Sequence, residues 1–280
     1  MLARQRQQRI LEMVQTAGGA RVSDLVDLLG VSDMTVRRDI SALARKGKVA
    51  RVHGGATALG GRSSEEPGFA AKFQLQKAEK AAIARAAVTL LSPGDSVALS
   101  AGTTTYAVAV ELLAIPDLTV VTNSVPVGEL LPTSGGTDVT VVLTGGERTP
   151  SDALVGPVAV TALSTLHVDW LFLGVHGIDE RAGLTTPNLV EAETDRALVR
   201  SARRIAVVAY SSKWAVVGLS SIARLDDIDV MVTDDKLHPD AQRLLESRLG
   251  TLLIASPAAD YDEVDLRSVT PVVPVVKNSR

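Results

Sequence analysis

The sequence predicts an α/β protein in two parts, a small N-terminal helical domain with a β ribbon and a larger, mostly parallel α/β domain behind it. Three observations carry that prediction. Apolar residues over the first 56 positions recur at helical spacing and end in an alternating stretch, residues 57–67 (TALGGRSSEEP) have the composition of a linker, and from Ser96 onward short β-branched runs alternate with helix-compatible segments. The expected organisation is a head at 1–56, a linker at 57–68 and a second domain at 69–280, and a chain of 280 residues has room for about two domains of roughly 150 residues each.

Composition narrows the chemistry. The chain has no cysteine, which excludes disulfides, thiolate zinc sites and cysteine nucleophiles. It has no apolar run long enough to span a bilayer, and Arg4, Arg6 and Arg9 are not followed by a signal-peptide core, so a cytoplasmic protein is expected. Neither G-x-x-x-x-G-K-[ST] nor G-x-G-x-x-G occurs, so ATP and dinucleotide sites have no support. The four histidines, His53, His167, His176 and His238, are dispersed and no H-E-x-x-H occurs, so neither a metal nor a cofactor is expected. The net charge of −3 conceals an asymmetry: residues 1–62 carry eleven Lys or Arg against five Asp or Glu (+6), and the remaining 218 carry 18 against 27 (−9). A basic end suits a phosphate backbone.

Within the head, residues 4–17 place Ile10, Leu11 and Val14 at helical spacing, and Gly18-Gly19 stop the run. Arg4 and Arg6 on this helix are candidates to touch phosphate. Ser23 is placed to cap a short second helix with Leu25, Val26, Leu28 and Leu29 as its apolar face, ended by Gly30. Ser32 is placed to cap a third, in which Val36, Ile40 and Leu43 form one buried face and Met34, Thr35, Arg37 and Arg38 are left outside. The stretch Lys48 to His53 then alternates polar and apolar before Gly54-Gly55, as a short ribbon does. Helix, tight turn, helix and basic ribbon make a winged helix-turn-helix, whose second helix in the motif enters a major groove. The candidate DNA contacts are Ser32, Met34, Thr35, Arg37 and Arg38 from the helix and Lys48, Arg51 and His53 from the wing. The alternative is a small helical bundle whose arginines are merely solvated.

Beyond the linker, Phe69 to Leu91 reads as one long helix with Lys77, Lys80 and Arg85 on its wet face. Apolar runs follow at 96–99, 118–121, 139–143, 168–173, 205–209, 228–232 and 252–255, with helical intervals at 104–113, 126–131, 152–163, 190–202 and 239–249 between them. Near-continuous apolar strands joined by helices argue a parallel sheet covered on both faces, and such sheets bind ligands beyond the carboxyl ends of their strands. Those ends read Ser100-Ala101-Gly102-Thr103-Thr104, Thr122-Asn123-Ser124, Thr144-Gly145-Gly146, Gly174 to Asp179 and Tyr210-Ser211-Ser212-Lys213. A Gly-Thr-Thr turn opening a helix offers backbone N–H groups and hydroxyls to a phosphate, and a lysine adds charge. The candidate ligand-binding residues are Ser100, Gly102, Thr103, Thr104, Asn123, Gly145, His176, Asp179 and Lys213. Trp170 and Trp214 are expected to be packing groups.

The head stretch, with Arg9-Ile10-Leu11 ahead of Gly30, Val31, Ser32, Thr35, Val36, Arg37, Arg38, Asp39 and then His53 to Ala56, resembles the N-terminal signature of the DeoR family of bacterial transcription regulators. The resemblance runs to about Asp235 through Gly102-Thr103-Thr104, Leu118 to Ser124, Gly145-Gly146, Gly174 to Asp179, Gly183-Leu184-Thr185, Ser211-Ser212-Lys213 and Thr233-Asp234. It implies operator DNA as one partner, a sugar phosphate or related phosphorylated metabolite as effector, a C-terminal domain similar to ribose-5-phosphate isomerase, and a homo-oligomeric (dimeric or tetrameric) repressor that is not an enzyme. The sequence departs from the family at Ser100 and Tyr210, positions where an aspartate is usual, and both changes remove a carboxylate from the presumed pocket. Two other functions are compatible with these residues. An aldose–ketose phosphate isomerase fused to a DNA-binding head would need a general base, for which Asp179, Glu180, Glu191 and Glu193 are available; an architectural DNA binder would leave the strand-end polar groups unexplained.

Overall fold

The structure is a computed structural model, which describes residues 2–17, 19–46, 48–52, 55–58, 68–133 and 139–257. The head comprises α1 (Ala3–Ala17), β1 (Gly19–Arg21), α2 (Val22–Leu29), α3 (Asp33–Arg45), β2 (Val49–Val52) and β3 (Gly55–Ala58). Its strands form an antiparallel sheet in the order β1-β3-β2. Gly30, at φ +61°, closes α2 with its N–H on the Val26 carbonyl, a left-handed position that favours glycine. The three helices and the ribbon share one core, in which Ile10, Val14, Leu25, Val36, Ile40, Leu43 and Val49 are buried. α2 begins at Val22, so Ser23 lies inside its first turn and not ahead of it. β3 runs to Ala58, two residues past the expected end of the head at 56.

Arg6 does not face outward as a phosphate contact would. It is buried, and its Nε donates to Asp39 Oδ2 at 2.8 Å while Gln7 Nε2 donates to Oδ1 at 3.2 Å. The aspartate of the Arg-Arg-Asp run therefore ties α3 to α1. The motif reads outward through its arginines and inward through its acid.

In the second domain the expected long helix is broken. α4 (Phe69–Phe73) and α5 (Lys77–Val88) are separated by a turn whose Gln76 sits at φ +51°. Phe69 and Phe73 stack on each other at 5.6 Å and both pack edge-on to Tyr106, which sets α4 at an angle that a continuous helix could not reach. Lys80 is buried, not on a wet face, because the turn swings that side of α5 under α4; its Nζ donates to the Lys72 carbonyl at 2.6 Å.

The elements that follow are β4 (Ser96–Leu99), α6 (Thr103–Leu112), β5 (Thr119–Thr122), α7 (Val125–Thr133), β6 (Thr140–Leu143), β7 (Glu147–Arg148), β8 (Leu154–Val155), α8 (Pro157–Leu163) and β9 (Val168–Leu173). After them come β10 (Gly177–Asp179), β11 (Gly183–Thr186), α9 (Leu189–Ser201), β12 (Ala202–Val208), β13 (Ser220–Ala223), β14 (Val230–Asp234), α10 (Pro239–Arg248) and β15 (Thr251–Ala255). Seven strands form one sheet in the order β15-β14-β12-β9-β4-β5-β6, and every neighbouring pair is parallel. All seven apolar runs read from the sequence are these strands. One core holds Ala84, Val108, Leu112, Leu130 and Phe172 on one face of the sheet; the other holds Leu163, Leu171, Leu198, Val207 and Leu245. A small antiparallel sheet, β10-β11-β13, sits beside the large one.

The chain runs outward from the centre of the large sheet in both directions, β4 to β5 to β6 on one side and β9 to β12 to β14 to β15 on the other. β4 and β9 are therefore a topological switch point. Their two following loops part to opposite faces and leave a crevice at the carboxyl edge.

Candidate functional site

Two surfaces collect the residues singled out in the sequence. On the head, α3 starts from Ser32, whose hydroxyl accepts the Thr35 N–H at 3.4 Å and lies 2.9 Å from the Thr35 Oγ1. Val36, Ile40 and Leu43 are buried below it, and the opposite face shows Met34 at 80% exposure together with exposed Arg37 and Arg38. Arg37 is aimed along the helix by Asp33, with Nε 2.6 Å from Oδ1 and Nη2 3.2 Å from Oδ2. An exposed i,i+4 pair of this kind is screened by water and salt, so a phosphate competes with it readily. Lys48 is exposed just before β2. Arg51 lies within β2, and His53 lies outside the described residues.

The second surface is the crevice at the switch point. It is lined by Ala101, Gly102, Thr103 and Thr104 after β4, Asn123 after β5, Gly174, Val175 and His176 after β9, and Tyr210 and Lys213 after β12. Gly102 precedes α6 at φ +148°, and the first turn of that ten-residue helix presents backbone N–H groups without intrahelical partners to the cavity. Lys213 is carried on a short 3-10 turn, Ser211–Lys213, which Asp234 fixes by accepting from the Ser211 N–H and Oγ–H, both at 2.7 Å. Asn123 closes the floor, its Oδ1 accepting the Ala101 N–H at 2.8 Å and its Nδ2 donating to the Leu154 carbonyl at 3.2 Å.

The electrostatics of the crevice are divided. Burial, then Lys213 and Lys72, push the His176 imidazole down to about 3, so it is neutral at physiological pH; its buried Nδ1 has no hydrogen-bond partner among the described residues. Burial likewise pushes the Tyr210 phenol up to about 12, and Lys213 Nζ lies 5.1 Å from the centre of the Tyr210 ring. On the other side, Glu191 and Asp195 bring carboxylates from α9, one helical turn apart. Glu191 Oε1 accepts from Thr149 Oγ1 at 2.7 Å and from the Ser151 hydroxyl. One end of the cavity is cationic with a helix N-terminus; the other is carboxylate with hydroxyls.

Three sequence candidates do not line the cavity. Ser100 is buried, its Oγ accepting the Gly174 N–H at 2.9 Å, so it ties the ends of β4 and β9 together. Asp179 accepts from the Arg181 and Ala182 N–H groups, both at 2.9 Å, and shapes the β10–β11 turn. Gly145, at φ +70°, serves the loop after β6 on the far side of β5. Conversely, Phe69, Lys72, Ser151, Thr186, Glu191, Asp195 and Tyr210 line it, although they are not among the candidate binding residues that the sequence offers. The i,i+4 spacing of Glu191 and Asp195 was a usable signal, but it is also the spacing of any solvated helix face.

A winged helix-turn-helix with an arginine-bearing outer face, followed by a seven-stranded parallel α/β domain with a switch-point cavity, is the build of a two-domain transcription regulator. The comparisons say which kind. A DeoR-like helix-turn-helix domain matches residues 6–60 and the DeoR C-terminal sensor domain matches residues 75–235. The HTH-type transcriptional regulator GlpR of Haloferax volcanii is 37% identical over 248 residues, covering 88% of this chain and 96% of that protein. The transcriptional repressor AccR of Agrobacterium fabrum is 35% identical over 231 residues, covering 82% of this chain and 88% of that protein. Among solved structures, a ribose 5-phosphate isomerase from Plasmodium falciparum aligns over 50% of this chain and 54% of its own at 16% identity and a TM-score of 0.36. The chain belongs to the DeoR family of helix-turn-helix transcriptional regulators.

Proposed function

We propose that the protein is a sequence-specific repressor whose α3 enters the major groove of operator DNA and whose α/β domain binds a phosphorylated sugar or related metabolite that releases it. The single observation that supports the effector class is the polarity of the crevice: the α6 N-terminus and Lys213 suit a phosphate, while Glu191 and Asp195 opposite suit the hydroxyls of a polyol. In this reading the head runs to the end of β3 at Ala58, a linker follows, the sensing domain begins at residue 69, and the molecule acts as a homo-oligomer on a symmetric operator. Ser32, Met34, Thr35, Arg37 and Arg38 contact the groove, with Lys48, Arg51 and His53 on the backbone beside it; Gly102, Thr103, Thr104, Asn123, His176 and Lys213 hold the effector. The repressor AccR, whose name states its sign of regulation, supports repression here.

The test has two arms. Arg37→Ala and Arg38→Ala keep the fold, since both side chains are exposed, and each weakens operator binding by roughly tenfold or more, as loss of a charge-assisted contact of about 1.5–3 kcal/mol requires; unchanged affinity in both removes the DNA reading. A thermal-shift panel of sugar phosphates identifies the ligand by the stability it adds, and Lys213→Met abolishes that shift and operator release together. Turnover of any panel member would replace the sensor with an isomerase.

A further inference from the structure

We propose that an uncharged apolar stripe across the N-terminal ends of α8 and α9 and the loop before β13 is where a second copy of this chain docks. The inference rests on the homo-oligomeric assembly proposed above and goes beyond it in naming the surface. Five of the eight large apolar side chains exposed among the described residues of the second domain belong to the stripe: Val158, Leu189, Val190, Val217 and Leu219, which are 46–63% exposed. The fold places them side by side. α8 packs on α9, and a Cβ built on Gly156, two residues before Val158, would lie 3.9 Å from Val190 Cγ1. Gly218, between Val217 and Leu219, lies against the backbone of Thr186 and Pro187 and donates its N–H to Thr185 Oγ1 at 2.9 Å. That end of β11 leads directly to Leu189.

Size and charge select the partner. Together the five side chains expose on the order of 450 Å² of apolar surface, toward the upper end of what a monomer leaves bare and about the apolar share of the roughly 800 Å² that each partner gives to a stable dimer. Segments 153–163, 182–190 and 214–223, which carry the stripe, contain no charged residue, although 22% of the chain is charged. Residues 63–280 have a net charge of −9, so two copies repel wherever their charged faces meet. In a two-fold interface the same patch serves both copies, and a neutral apolar patch on an acidic domain meets its own copy without that repulsion. Nucleic acid or an anionic membrane would need cations here, and the three segments supply none. Thr186 and Glu191, which bracket Leu189 and Val190, line the crevice, so the partner copy sits beside the effector site.

The experiment is analytical ultracentrifugation of the full chain across the micromolar range, with Val158→Glu, Leu189→Glu and, off the stripe, Ile254→Glu. Both stripe substitutions fall in the first turn of a helix, where an acidic side chain is favoured, and both positions are exposed, so the fold is kept; thermal melts check it. The parent protein sediments as a dimer or a larger even assembly. Each stripe variant falls to half the parental number of copies, its dissociation constant raised about a hundredfold or more because the two-fold axis introduces each charge twice. Ile254→Glu, on exposed β15 surface, keeps the parental assembly. Parental assembly in both stripe variants would overturn the stripe and leave the homo-oligomer standing. A monomeric parent protein would overturn the homo-oligomer itself, and the stripe with it.

Discussion

Asp39 and Lys80 show how little the type of a side chain says about its surroundings. Lys80 reads as part of a wet helix face and Asp39 directly follows two outward-facing arginines, yet both are buried. Asp39 holds Arg6 and Gln7 of α1, so Asp39→Ala leaves the Arg6 guanidinium buried without its carboxylate. The expected cost is about 3–5 kcal/mol, read as a lower midpoint in denaturant for the head, with DNA binding lost through unfolding and not through a missing contact. Lys80 is pushed down from 10.5 to about 7, first by burial and then by Lys213 and Lys72, with Glu79 opposing and Lys77 adding to the effect. Between about pH 7 and 10.5 the unfolded chain therefore carries a proton at this position that the folded chain does not. Stability from this group rises with pH across that window, by at most about 1.4 kcal/mol per pH unit, and is flat below it. Lys80→Met removes this slope. Denaturation of parent and variant at pH 7 and at pH 9.5 should show the variant gaining relative stability at the lower pH, and a pH-independent difference would disprove it.

At the scale of elements, the three-residue turn bearing Lys213 is tied down by Asp234. Asp234, at the end of β14, accepts from the Ser211 N–H and hydroxyl and from the Lys236 N–H, and it is fully buried. Asp234→Ala frees the turn, so the thermal shift given by a sugar phosphate shrinks while operator affinity without ligand stays at the parental value. An undiminished shift would show that Lys213 needs no such support. The break between α4 and α5 belongs to this scale as well. Residues 69–91 contain no proline or glycine, so local propensity favours one helix, and the interruption at Gln76 is imposed by Phe69 and Phe73 docking on Tyr106. Propensity differences of a few tenths of a kcal/mol per residue yield to an aromatic contact of about 1 kcal/mol and the area it buries.

For the whole molecule, the division of charge into +6 over residues 1–62 and −9 over the rest directs how the protein meets its partners. Operator affinity is expected to fall linearly in log–log form with salt, with a slope of about −0.9 for each phosphate neutralised. Replacing Lys48 with alanine should reduce that slope by about one without changing sequence preference. A titration at several salt concentrations measures it, and a slope near zero would show that the basic head makes no phosphate contacts. Among the described residues no helix is long and apolar enough to cross a membrane.

The sequence by itself determined the helix-turn-helix face, the seven strands and their parallel class, and the Gly102, Asn123 and Lys213 strand ends. These are legible because periodicity and β-branched runs are local properties, and because α/β topology sends every carboxyl end to one edge. Only the tertiary structure decided which side chains at that edge share a cavity. Ser100, Gly145 and Asp179 lie near strand ends yet serve turns and strand ties, since a hydrogen-bond partner 74 positions away, such as Gly174 for Ser100, leaves no trace in local spacing. Phe69, Lys72, Glu191 and Asp195 reach the cavity from helices distant in sequence, brought there by packing of α4 on α6 and by the run of α9 from the small sheet. Distance in space between such residues is set by the summed burial of the whole core, and no window of the chain contains it.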